Sequence, residues 1–301
     1  MTKKVLIAGA NGLIGKALTQ FLQSKHYEVS WLVRKQHPDF NIKQYLWDPN
    51  QCAVDKKAFV NTDVVINLAG AGIAEKRWTP SRKKEIISSR ILAVKTLAEY
   101  LKNFNQIHLI NASAVGFYGS SDSSFVYNES SDPGVDYMAE VCKLWEQEVF
   151  KVSLMGINTS VVRIGVVLSE KGGALPQIAA PIKLGLGSVL GKGNQYMSWI
   201  HINDLLSVLF RLAEGSLEKG IYNAVAPFPV SNAEFTGSVA RALNKRILLP
   251  AVPSFVLKML LGEMSDVVLK GNRVSAQKLI DSGFEFQFKD INSALADLLK
   301  V

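Results

Sequence analysis

The segment Gly9-Ala10-Asn11-Gly12-Leu13-Ile14-Gly15 constrains this chain more than any other. It follows an apolar run, VLIAG (5–9), and opens a pattern, GLIGKALTQFLQSK (12–25), with Leu13, Ala17, Leu18, Phe21 and Leu22 on one helical face. A strand–glycine turn–helix unit is the setting in which a dinucleotide pyrophosphate binds. Gly9 permits the tight turn, Gly12 lets the anion approach the backbone, and Gly15 lets helix pack on strand. The helix start then offers free N–H groups and the positive end of its dipole. The bland alternative is a glycine-rich turn in an unliganded α/β protein.

The end of the second apolar run, EVSWLV (28–33), bears on which dinucleotide. An NAD site usually carries an acid here for the ribose 2′-hydroxyl. This chain has Val33-Arg34-Lys35 instead. A guanidinium grips a 2′-phosphate through paired hydrogen bonds. One such contact, about 1.5–3 kcal/mol, favours NADP over NAD by roughly ten- to a hundredfold. A solvated strand-end arginine is the competing view.

Further buried-strand runs follow at DVVINLAG (63–70), IHLINAS (107–113) and SVVRIGVVL (160–168). A helix opens at Thr79-Pro80 and runs to Lys102. Repeated β-α-β units predict an α/β fold, a doubly wound parallel sheet of Rossmann type. After residue 168 glycine and proline crowd 172–193, a strand-like MSWIHI (197–202) follows, and a helix starts at Asn203. The predicted division is a Rossmann domain over 1–225, with part of 169–202 in the substrate lobe, and a smaller C-terminal α+β subdomain over 226–301.

Of 301 residues 48% are hydrophobic and 20% charged, which excludes a disordered or fibrous chain. Net charge is +8, yet the cations form no stripe interleaved with aromatics, so no nucleic-acid partner is expected. No apolar run reaches 18 residues, so no membrane partner is expected either. Gly9, Gly12 and Gly15 interrupt the N-terminal apolar region, against a signal peptide, and Cys52 and Cys142 form no framework. A reduced, cytoplasmic protein is expected. His26, His37, His108 and His201 show no ligand spacing, so no metal is expected.

The G-x-x-G-x-x-G spacing resembles the extended, epimerase-like short-chain dehydrogenase/reductases. The stretches NLAGAGIAEKRW (67–78), SAVGFYG (113–119), DYMAEVCKLWE (136–146), GLGSVLGKGNQYMSWIHINDL (185–205) and SGFEFQF (282–288) narrow this. They are similar to the uncharacterised "epimerase family" branch of the atypical extended members, over nearly the whole chain. The resemblance implies an NADP(H)-binding Rossmann domain with a C-terminal domain closing over the nicotinamide end. It places Gly9, Asn11, Gly12, Leu13 and Ile14 in the pyrophosphate loop and Val33 and Arg34 at the adenosine phosphate. It places Leu68, Ala69 and Gly70 beside the cofactor, Glu85 and Arg90 on the following helix, and Val167 near the nicotinamide. A homodimer is compatible with it.

One part of the superfamily pattern is missing. Its Tyr-x-x-x-Lys pair sits on one helix face, where Lys⁺ lowers the Tyr pKa. In the register set by Lys143-Leu144-Trp145-Glu146, Met138 takes the Tyr place and Cys142 the Lys place. Tyr137 and Lys143 lie six apart, about 240° around the helix, and share no face. Ala114 takes the usual serine place, with Ser113 one residue early. Ser113, Tyr118 and His201 are the substitute candidates, against packing roles for Tyr118 and His201. Two functions follow as expectations. One is an NADP(H)-dependent oxidoreductase or epimerase-like enzyme on an unidentified small substrate. The other is a non-catalytic NADP(H)-binding sensor or scaffold.

Overall fold

The computed structural model describes residues 2–104, 106–120 and 125–299. The first half runs β1 (Lys4–Ala8), α1 (Leu13–Ser24), β2 (Glu28–Val33), β3 (Lys43–Asp48), β4 (Ala53–Val54), β5 (Val64–Asn67), α2 (Pro80–Leu101), β6 (His108–Ala114), β7 (Val126–Tyr127), α3 (Tyr137–Leu154) and β8 (Asn158–Ile164). Then follow β9 (Val166–Leu168), α4 (Ala174–Lys183), β10 (Tyr196–Met197), β11 (Trp199–His201), α5 (Ile202–Glu214), β12 (Ile221–Ala224) and β13 (Val230–Ser231). The chain ends with α6 (Asn232–Ala242), α7 (Ser254–Leu261), α8 (Asp266–Leu269), β14 (Arg273–Val274), α9 (Gln277–Asp281) and α10 (Ile291–Leu298).

One eight-stranded sheet has the order β12-β8-β6-β5-β1-β2-β3-β4. All its pairs are parallel except the β3–β4 edge. Both faces are covered, which is why these strands read as continuous apolar runs rather than alternating ones. The order reverses direction between β1 and β5, the switch point where such sheets bind ligands. Local chemistry sets the elements around it. Thr79 caps α2 by accepting from the Arg82 N–H, and Pro80 fills the first position, where no donor is needed. Trp31 on β2 donates to Thr19 on α1 at 2.8 Å, fixing the helix over the sheet.

The expected strand 160–168 is broken. Any side chain at Gly165 would lie 2.7 Å from the Ser198 carbonyl oxygen, and the chain bends there into β9, which pairs with β11. Strands not anticipated include β3, whose sequence KQYLWD is half polar, and the short β4, β7 and β12. A second hydrophobic core joins Leu175 and Ile182 to Phe235, Val239, Ile291 and Leu295. Residues beyond 226 divide between the two cores, because Val274, Leu279, Phe284 and Phe286 pack with the sheet. Asp204 on α5 secures that crossing by accepting from the N–H groups of Gln287 and Phe288 at 2.8 and 3.0 Å.

His108, at the start of β6, is buried, with Nε2 2.9 Å from Ser160 Oγ on β8. Burial pushes its pKa down to about 4, and Lys219 and Lys3 act in the same direction. An unfolded histidine titrates near 6.5. Between those values the unfolded chain binds a proton that the folded chain refuses. Stability from neutral His108 is therefore complete above about pH 6.5 and lost as pH falls toward 4, by about 3 kcal/mol at most. Urea unfolding of the parent and His108→Gln across that window should show a shallower pH dependence in the variant. Parallel profiles would refute this assignment.

Candidate functional site

Because β1, β2, β5, β6 and β8 are parallel, their carboxyl ends share one edge of the sheet. There the chain emerges as Gly9, Arg34, Leu68, Val115 and Gly165. Gly9 adopts φ +77°, and a side chain on it would lie 2.7 Å from the Leu68 backbone. Both facts exclude any other residue. Gly15 abuts Ala10, where a Cβ would lie 2.5 Å from Cα. Gly12 differs, since a Cβ there would meet only the Gly9 carbonyl oxygen, at 3.3 Å, and its other side is open.

The turn closes on itself through Gly12 N–H to Gly9 O at 3.1 Å, and Lys16 N–H donates to Gly12 O at 3.0 Å. No side chain caps α1 and no acid lies in its first turn. The N–H groups of Leu13, Ile14 and Gly15 thus lack an intrahelical acceptor. Their dipoles and the helix dipole add where Asn11 and Gly12 are exposed. This end of the helix is built for an anion.

Val33 is buried and Arg34 exposed at the end of β2. Arg34 makes no hydrogen bond or ion pair among the described residues. Glu85 is near enough for Arg34 to help lower its pKa, but the larger cause is Arg82, which donates to it at 2.7 Å. Arg82 also reaches the Gly72 carbonyl and Glu75, clasping the loop after β5. Within that loop Leu68 N–H donates to Ala8 O and Ala69 N–H to Asn67 Oδ1. Asn67 in turn donates to Asn111 on β6 at 2.6 Å, a buried amide ladder under the switch point. Gly70 rests on Arg90, whose Cζ would lie 3.0 Å from an added Cβ. Arg90 is buried and donates to Ala71 O and Ile86 O, holding the loop from beneath. Val167 stands on β9, half-buried and paired with Ile200.

Met138 and Cys142 on α3 face the turn after β6, where an added Gly116 Cβ would lie 3.4 Å from Met138 Cβ and 3.7 Å from Cys142 Sγ. Burial pushes the Cys142 thiol up to about 12, with Glu146 adding to it. Tyr137 points elsewhere, donating to Lys83 O at 2.9 Å beside the Trp78 ring, and Lys143 is exposed.

Of the three substitute candidates, Ser113 and Tyr118 join one buried network and His201 stands apart. Ser113 is buried and donates to Glu146 Oε1 at 2.6 Å. Tyr118 is buried, donates to Asn223 Oδ1 at 2.6 Å and accepts from Arg163 Nη1 at 2.9 Å. Burial raises its pKa to about 12. His201 caps α5, Nδ1 accepting from the Asn203 N–H, and stacks on Phe288. Sequence reasoning missed the group that organises Ser113 and Tyr118. Arg163 forms a two-pronged ion pair with Glu146 at 2.8 and 2.9 Å and lies over the Phe117 ring. Removing one member of such a buried pair costs about 3–5 kcal/mol. Its only sequence signal is a charged residue inside the apolar run 160–168, which demands a partner once that run is buried. Among the described residues no three His, Cys, Asp or Glu side chains gather as a metal site, and no helix is long and apolar enough to cross a membrane.

Residues 5–224 match the NAD dependent epimerase/dehydratase family, and 252–298 match a domain of unknown function, DUF1731. The chain is 35% identical over 307 aligned residues to "Epimerase family protein SDR39U1 homolog, chloroplastic" from Arabidopsis thaliana, covering 98% of this chain and 86% of that protein. It is 35% identical to "Epimerase family protein YfhF" from Bacillus subtilis, covering 98% and 97%. Among solved structures, human epimerase family protein SDR39U1 (isoform2) with NADPH superposes with TM-score 0.87 at 30% identity, covering 99% of both chains. A nucleoside-diphosphate sugar epimerase from Corynebacterium glutamicum gives 0.81 at 33%, covering 99% of this chain and 58% of that one. The glycine turn at the switch point and this agreement along the whole length have one explanation: the chain belongs to the NAD dependent epimerase/dehydratase family, in its extended short-chain dehydrogenase/reductase branch with a C-terminal DUF1731 domain.

Proposed function

We propose that this protein binds NADP(H) and acts as an oxidoreductase or epimerase-like enzyme on a small substrate, without a Tyr-x-x-x-Lys relay. The observation that carries it is the pairing of an uncapped glycine turn with a free Arg34 on the adjacent strand end. Leu13, Ile14 and Gly15 would hold the pyrophosphate through backbone N–H groups. Arg34 would hold the 2′-phosphate, and Leu68–Gly70 and Val167 would wall the site. The NADPH in the human relative favours the phosphorylated dinucleotide.

When bound, the cofactor supplies the hydride. The chain's own residues orient it. They offer no lowered-pKa acid at the relay position, since Cys142 sits near 12. Turnover would then suit substrates whose proton comes from water or from the substrate itself. The same deficit favours a second reading, a sensor that binds NADP(H) and has no chemistry of its own.

Titration of NADPH and NADH against the parent and Arg34→Asp tests the cofactor assignment. The variant should lose NADPH affinity roughly ten- to a hundredfold relative to NADH. An unchanged ratio would falsify the assignment. Absorbance of the reduced nicotinamide over a panel of carbonyl compounds separates enzyme from sensor, sustained oxidation supporting the enzyme. On any substrate turned over, Tyr118→Phe should lower the melting temperature yet change the rate per folded molecule by less than about tenfold. A proton-transferring group would cost about 10²–10⁴-fold, and a loss of that size would return Tyr118 to catalysis.

A further inference from the structure

Two surface segments of the C-terminal lobe carry cations and exposed apolar side chains with no acid among them. Residues 183–192 read KLGLGSVLGK, and 244–261 read NKRILLPAVPSFVLKMLL. The structure lays one along the other. Gly187 faces Ile247, Ser188 Oγ donates to Pro250 O, Val252 N–H donates to Val189 O and Gly191 N–H to Val252 O. Pro253 then caps α7 directly beyond this pairing.

The result is one surface with a pronounced apolar crest. Leu184 is 76% exposed, Leu248 80%, and Phe255 and Met259 on α7 are 70% each. Phe255, Lys258 and Met259 stand at i, i+3 and i+4, on one side of a helix that buries only Leu257. Lys183, Lys192, Lys245, Arg246 and Lys258 are all exposed, and none forms an ion pair among the described residues. Isolated exposed leucines are ordinary, but this many in adjoining segments, beside five cations without ion pairs, are a binding surface, and the acids that follow α7, Glu263 and Asp266, are paired with Lys83 and Lys270.

We propose that this face docks on an anionic lipid surface, inserting Leu184, Leu248, Phe255 and Met259 while the cations meet the headgroups. Charge complementarity selects this occupant. A second copy in a two-fold arrangement would set the same cations against themselves. Basic residues beside an apolar crest match the interfacial mode of attachment, which needs no spanning helix. The short apolar runs that argued against a membrane span do not bear on it. The crest adjoins the cofactor edge, because Arg77 in the loop after β5 donates to Met259 O and Lys83 on α2 pairs with Glu263. An attached molecule would thus hold its crevice near the lipid.

The test is co-sedimentation of the full chain with phosphatidylcholine vesicles, with and without phosphatidylglycerol, at low and high salt. Pelleting should require phosphatidylglycerol and weaken with salt. The double variants Lys245→Glu/Arg246→Glu and Phe255→Ser/Met259→Ser should each bind at least roughly tenfold more weakly. Thermal melts should match the parent, since all four side chains are exposed. Absence of lipid-dependent pelleting overturns the proposal, as does pelleting that neither double variant reduces. A dimer in sedimentation velocity that the serine pair dissolves, with no vesicle binding, assigns the face to a second copy and overturns it equally.

Discussion

The contact on which the site depends contains no side chain. Gly9 lies against the Leu68 backbone at a distance no Cβ would survive, and that closeness brings the β1 turn and the β5 loop together at the switch point. Everything useful at the sheet edge follows from it. The turn feeds α1 so that three N–H groups lack an intrahelical acceptor, and no side chain caps them. A larger residue at position 9 would part the two loops before it altered any chemistry.

Charge around this turn is sorted by hydrogen bonding. Glu85 lies within Coulombic reach of Arg34, and an ion pair there would have consumed the guanidinium. Arg82 holds Glu85 instead and sets Nη2 on the Gly72 carbonyl and Glu75. Arg34 stays free at the edge while the acid is neutralised one helical turn away. Arg90 works from below, paying its desolvation with two carbonyl contacts and the Trp145 ring. The loop is stiffened before any ligand arrives, which reduces the ordering cost of binding.

The face of α3 toward the turn after β6 is differently arranged. Met138 and Cys142 set a thioether and a buried thiol against that turn. The polar groups nearby are turned inward by Arg163 and Glu146. Ser113 and Tyr118 are buried against strong partners, Ser113 on Glu146 and Tyr118 on Arg163, and burial holds the Tyr118 phenol up at about 12. Residue type at the end of a strand does not give these surroundings. A neighbour 17 positions away, Glu146 relative to Arg163, decides what the group can do.

The sequence alone determined the glycine turn, the strand ends around it and the helix bounds at Thr79-Pro80, because those rest on local sterics and on periodicity. It also established that Tyr137 and Lys143 share no face of their helix, since helical spacing is fixed by geometry. The bend at Gly165, the half-polar strand β3, and the division of residues beyond 226 between two cores came only from the tertiary structure. Each depends on a partner distant in the chain: the Ser198 carbonyl, the β2 backbone, the underside of the sheet. The same holds for the free state of Arg34 and the captive state of Ser113. A residue announces its chemistry locally, but burial and pairing are properties of the fold, and they decide whether that chemistry is available.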